Sequence, residues 1–164
     1  MRARIFAVFA AAFASACGFQ PLYAPPAPGA GPGIGQVQIG MIPGRAGHTL
    51  RQELDRVLRI GAGDGPQRSL DITLTEEISN LGIRTDESAT RADLRLTARY
   101  ALSGVAGAAP VQGTATTVVS YEIPTAAFGE IAAQDDARER AAETLAQRIR
   151  SDLVLRLAAS ERAS

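Results

Sequence analysis

After residue 35 the chain changes period several times, and each change marks an element. Val37, Ile39 and Met41 alternate with Gln36, Gln38 and Gly40, which predicts a half-buried strand over 36–41 with the first set facing inward. Pro43 and Gly44 end it. Residues 48–59 read as a helix, because Leu50, Leu54, Val57 and Leu58 fall at i, i+4, i+7 and i+8 on one stripe. Thr49 and Gln52 have the spacing of a capping box, and Asp55 and Arg59 that of a favourable i,i+4 pair. The glycines and Pro66 in 61–66 stop this helix.

Three strands follow with no helix between them. Leu70, Ile72 and Leu74 alternate with Asp71, Thr73 and Thr75. Leu94, Leu96, Ala98, Tyr100 and Leu102 alternate with Arg95, Thr97, Arg99 and Ala101. Beyond a small-residue loop at 104–110, Val111, Gly113, Ala115, Thr117, Val119 and Tyr121 form the inner set of a fourth strand, with Gln112, Thr114, Thr116 and Ser120 opposite. Consecutive strands of this kind predict an antiparallel meander with one wet face. Pro124 and Thr125 break the last strand, and 135–159 reads as a helix about 35 Å long at ~1.5 Å per residue. Ala142, Leu145, Ala146, Ile149, Leu153 and Leu157 make its stripe. Asp135 and Asp136 are read at its start, where acidic groups suit the helix dipole. Asp136 with Arg140 and Asp152 with Arg156 are i,i+4 pairs. The expected fold class is α+β. It is a two-layer sandwich: a four-stranded, mostly antiparallel sheet carries two helices on one face, in the order β-α-β-β-β-α.

The N-terminus has another character. Arg2 and Arg4 precede a run of twelve apolar or small residues, 5–16. That run is too short for a spanning helix, which needs roughly 20 residues, and suits the apolar region of a secretory signal. Ala14, Ser15, Ala16 and Cys17 then form a lipobox-like sequence, although alanine stands where leucine is usual, three before the cysteine. Cys17 is therefore expected to carry lipid. A lone cysteine in an oxidising compartment is a liability unless occupied, and two or three acyl chains, at about 0.8 kcal/mol per buried CH₂, anchor stably. Five prolines and four glycines in 21–35 read as an extended or flexible tether. The expected organisation is a signal peptide at 1–16, a lipidated N-terminus and tether at 17–35, and one domain at 36–160.

Composition narrows the functions. All 17 basic residues are arginine, and 17 acidic residues give zero net charge. Loss of Arg2 and Arg4 with the signal would leave 15 against 17, two units negative. No basic footprint for nucleic acid exists. One cysteine excludes an internal disulfide, and one histidine excludes a His-rich metal site. His48 has no nucleophile motif beside it. Glu76-Glu77 and Asp135-Asp136 are adjacent pairs whose members point different ways, so they read as solvated charge and not as acid–base dyads. No catalytic residue, metal ligand or cofactor is expected. The glycines in 29–35 lack the lysine and strand of a phosphate loop. Leu155 lies about 150° from the centre of the last helix's stripe, at ~100° per residue, where it could touch a partner.

The stretch Cys17-Gly18-Phe19-Gln20-Pro21-Leu22-Tyr23 resembles the C-G-F-x-P-L-Y start of mature lipopolysaccharide-assembly lipoproteins of the LptE family. The C-terminal stretch 135–157, with Ile149, Leu153, Val154 and Leu157, is similar to the final helix of alphaproteobacterial members, and the element order agrees with the family fold. The resemblance implies an outer-membrane lipoprotein on the periplasmic face. Its implied partners are an LptD-like β-barrel that inserts lipopolysaccharide and lipopolysaccharide itself, with no enzyme activity and no cofactor. Gly18, in place of an aspartate, favours the outer membrane. Lipid A carries phosphates, and arginine forks match phosphate bidentately. Arg84 and Arg91, read in the loop before the third strand, and Arg95 and Arg99 on its outer face are thus the candidate ligand-binding residues. The alternative to pairing with lipid is pairing with Asp86, Glu87 or Asp93. A different function class also fits a two-helix, one-sheet domain, namely a periplasmic lipoprotein accessory to a lipid-transporting ABC system.

Overall fold

The computed structural model describes residues 34–59, 67–83, 89–104, 109–124 and 126–163. Their order is β1 (Gln36–Ile39), α1 (Arg45–Arg59), β2 (Gln67–Ile83), β3 (Ala89–Ser103), β4 (Val111–Glu122) and α2 (Ala127–Ala163). The sheet order is β1-β2-β3-β4, with β1 parallel to β2 and the other pairs antiparallel. This is the expected α+β sandwich.

Parity decides which side of the sheet is dry. On β3 the even positions Ala92, Leu94, Leu96, Ala98, Tyr100 and Leu102 are buried. The helices cover that face with Leu50, Leu54, Val57 and Leu58 from α1 and Ala142, Leu145, Ala146, Ile149, Leu153 and Leu157 from α2. All ten stripe residues therefore lie in one core cluster. Burying each such leucine or isoleucine contributes about 1.5–3 kcal/mol. The pairs Asp55–Arg59, Asp136–Arg140 and Asp152–Arg156 form as spaced, at 2.6, 2.9 and 2.7 Å.

Several element ends differ from the sequence pattern. Met41 is not part of the inner row. β1 ends at Ile39, Met41 is exposed, and Ile42 turns into the core in its place. Helix α1 begins three residues early, at Arg45, because Gly44 supplies a positive φ of 86° that turns the chain directly into the helix. Thr49 is therefore inside the helix and caps nothing; its hydroxyl donates to the Arg45 carbonyl at 3.3 Å. Strand β2 runs 17 residues, far past Thr75. Its alternation is broken by Glu76 at an inward position, where Arg138 of α2 replaces apolar packing with an ion pair at 2.9 Å. Helix α2 has 37 residues, about 55 Å at ~1.5 Å per residue. Its first turns carry Phe128, 91% exposed, and Ile131, which continue the angular line of the stripe, Ile131 standing about five turns before Ile149, yet remain exposed. Asp135 and Asp136 consequently sit in the third turn, beyond reach of the helix dipole. They bind Arg138 and Arg140 instead, and Asp135 also reaches Arg45 at 3.5 Å.

Candidate functional site

The outer face of the sheet is a polar plane built by the odd positions of β2 and β3 and the even positions of β4. Thr75, Thr97 and Thr116 form one row across three strands, and the hydroxyls of Thr97 and Thr116 are hydrogen-bonded at 3.3 Å. The candidate arginines stand along the middle strand. Arg91 lies between Leu81 and Glu122, Arg95 between Glu77 and Val118, and Arg99 between Thr73 and Thr114. Arg91 is in β3 and not in a loop, because the β2–β3 hairpin continues much further than its apolar alternation. Arg84 and Cys17 lie outside the described residues.

Four-residue steps at ~3.3 Å per residue separate neighbouring arginines by about 13 Å. That spacing along one strand suits an extended anion with several charged groups. Arg95 approaches Glu77 at 4.0 Å between exposed side chains, a pair worth about 0–1 kcal/mol. Arg91 and Arg99 have no ion-pair partner among the described residues. Asp93, which was a candidate partner, accepts a hydrogen bond from Ser120 at 2.6 Å instead. Asp86 and Glu87, the other candidate partners, lie outside the described residues.

The acidic pairs behave as separate charges. Glu76 turns inward to Arg138 and Glu77 outward to Arg95. Arg138 is the least exposed partner in any of these ion pairs, held by Glu76, Asp135 at 2.8 Å and the Gln134 side-chain carbonyl at 3.1 Å. Burial lowers its pKa, but the two carboxylates outweigh this and raise it. His48 is exposed on α1. Among the described residues no group of histidine, cysteine, aspartate and glutamate could hold a metal ion. No described helix is long and apolar enough to cross a membrane.

One polar cluster went unrecognised in the sequence. Tyr100 reaches across the core edge and donates to the Asp152 carboxylate, which also accepts from Arg156 at 2.7 Å. Burial, reinforced by the hydrogen bond and the negative charge of Asp152, pushes the Tyr100 phenol well above its ordinary range. Burial alone would raise the Asp152 pKa, but the hydrogen bonds from Tyr100 and Arg156 overcome it and hold the carboxyl below the usual aspartate range. Gly113 on β4 makes room: a methyl group there would collide with the Tyr100 hydroxyl and stand 2.9 Å from Asp152 Oδ2. The cluster ties sheet to helix.

The chain matches known proteins in both sequence and fold. The LptE family, described as lipopolysaccharide-assembly, matches residues 21–153. The chain belongs to the LptE family. A Caulobacter crescentus CB15 protein assigned as a lipoprotein is 28% identical, with a TM-score of 0.61 over 74% of this chain and 90% of that one. The rare lipoprotein B of Shewanella oneidensis is 18% identical over 71% of this chain and 94% of its own, with a TM-score of 0.47. A minor lipoprotein of Acinetobacter baumannii, also 18% identical, covers 71% and 93%, with a TM-score of 0.49. No curated protein matches the chain. LptE membership makes this a lipopolysaccharide-assembly lipoprotein associated with a membrane, of a non-enzymatic kind. Within this LptE chain the expected fold and the expected family agree.

Proposed function

We propose that this protein is an outer-membrane lipoprotein, anchored through lipid on Cys17, that partners an LptD-like β-barrel. It aids assembly of the barrel and plugs it while lipopolysaccharide passes to the outer leaflet. The observation that carries this reading is the family match across residues 21–153. The sheet supports it physically. Barrel lumens are polar, and the outer sheet face is a polar plane of threonine and arginine with no helix over it among the described residues. A signal peptide at 1–16 and a tether at 17–35 would release the domain at the periplasmic face. Arg84, Arg91, Arg95 and Arg99 would meet the phosphates of lipopolysaccharide.

The test is a crosslinked pull-down of the lipidated protein from outer membranes, with mass spectrometry of what it holds. Recovery of the lipopolysaccharide-transport barrel at about one-to-one is expected. Recovery of an inner-membrane ABC transporter would replace this reading with the accessory-protein alternative.

A further inference from the structure

β4 is the last strand of the sheet, so one of its edges pairs with no strand among the described residues. It is 12 residues long. Its register against β3 is unbroken from Arg91↔Glu122 to Leu102↔Val111, so no bulge twists the edge away. Half its residues are β-branched, and it contains no lysine or proline. Proteins normally blunt such an edge with those devices. Here Arg148 of α2 donates to the Thr116 carbonyl, the one side-chain contact to an outward backbone group among the described residues of this strand.

That contact also fixes which backbone groups face out. A strand residue's N–H and C=O point to the same side, and its neighbours' point to the other. Since Thr116 presents its carbonyl to Arg148, the groups of Thr114, Thr116, Val118 and Ser120 point away from β3. The close Thr97–Thr116 hydroxyl contact, 3.3 Å, agrees, because non-hydrogen-bonded pairs bring side chains nearer. Alongside runs a groove of about 620 Å³ on α2, lined by Glu143, Gln147, Arg148, Ser151, Asp152 and Leu155 among others.

We infer that the free edge of β4 is a docking seam that takes an extended segment of the barrel partner as a fifth strand; this rests on the proposed function. The alternating donors and acceptors of an edge are complementary to another strand's backbone. The groove's charges, Glu143 and Asp152 against Arg148, leave no excess of positive charge for a lipid phosphate, which separates this seam from the arginine row. The exposed Leu155 in the groove and Val118 on the strand itself offer apolar contacts to the incoming side chains.

The test uses the full lipidated chain in outer membranes with Val118→Pro and Ser120→Pro. Each removes an outward N–H and leaves the β3 ladder intact, the one setting in which a strand tolerates proline. Val118→Lys is the second variant, because it keeps every backbone group and adds a blocking charge, on the outer face opposite Arg95. Thermal melting of each purified chain identifies the variants that fold. The expected result is that folded variants recover about tenfold less barrel than wild type. Hydrogen exchange at Thr114, Thr116, Val118 and Ser120 should slow in the wild-type complex. Equal recovery of the barrel by wild type and folded variants would overturn the inference and leave the proposed function standing. No barrel with wild type would sink both. A dimer of the free chain that Val118→Pro dissociates would overturn it by assigning the seam to a second copy.

Discussion

The hydroxyl of Tyr100 donates to the carboxylate of Asp152, 52 residues further along, and so pins the third strand to the long helix. Neither residue is chemically unusual alone. Their pairing needs the absence of a side chain at Gly113, directly opposite on β4. Gly113→Ala should displace the tyrosine and destabilise the fold by about 1–3 kcal/mol, as overpacking does. Tyr100→Phe should cost about 1–3 kcal/mol through the carboxylate it leaves less satisfied. Denaturant unfolding of both variants and their double mutant checks this. Costs that add fully would mean that Gly113 acts elsewhere.

The same pair sets a pH dependence at both ends. Asp152 titrates below its unfolded value, near ~3.9, so its contribution is present above that pH and lost as pH falls through the folded value. Tyr100 titrates above its unfolded value, near ~10, so its contribution is complete below pH ~10 and lost as pH rises through the folded value. Melting temperature measured across pH should therefore fall at both extremes. Asp152→Asn should flatten the acid limb, and Tyr100→Phe the alkaline one.

Glu76 occupies an inward position of β2 only because Arg138 meets it there. Glu76→Ala should cost about 1–3 kcal/mol, since it leaves a shielded guanidinium with Asp135 alone as a charge partner. The double variant Glu76→Leu with Arg138→Met should regain much of that loss, as apolar pairs replacing shielded ion pairs often do. Urea unfolding of the three variants decides the matter. A double variant weaker than Glu76→Ala would show that the charges contribute more than packing can.

For the arginine row, reversal at Arg91, Arg95 and Arg99 to glutamate should leave the melting temperature within a few degrees, because exposed pairs contribute about 0–1 kcal/mol. Binding to vesicles bearing lipopolysaccharide should drop at least about tenfold and become less sensitive to salt. Unchanged binding would return the row to the status of a solvated strand face.

Cys17→Ser removes the thiol to which lipid attaches. The variant is expected in the soluble fraction after cell breakage, while the parent remains with membranes. Mass spectrometry of the parent should show acyl mass on the N-terminal peptide. A membrane-bound serine variant would point to anchoring by something other than the lipid.

The stripes and alternations were enough to fix the class, the element order and the dry face of the sheet, because each rests on local period and the hydrophobic effect acts on every residue independently. Leu50, Leu145 and Ile149 are core on pattern alone, and the structure buries them fully. The N-terminal motif was likewise a matter of adjacent letters, and the family match begins within it, at residue 21. What tertiary structure decided are the places where a distant group replaces the local rule. Glu76 could remain on the inner side of a strand once Arg138, 62 residues away, neutralised it, so β2 and its hairpin ran on and carried Arg91 out of a supposed loop. Helix α2 began before its stripe meets the core, so Asp135 and Asp136 became partners for arginines instead of dipole charges. Tyr100 and Asp152 met only because two layers packed, and which edge of the sheet stayed open depended on strand order, a property no single segment contains.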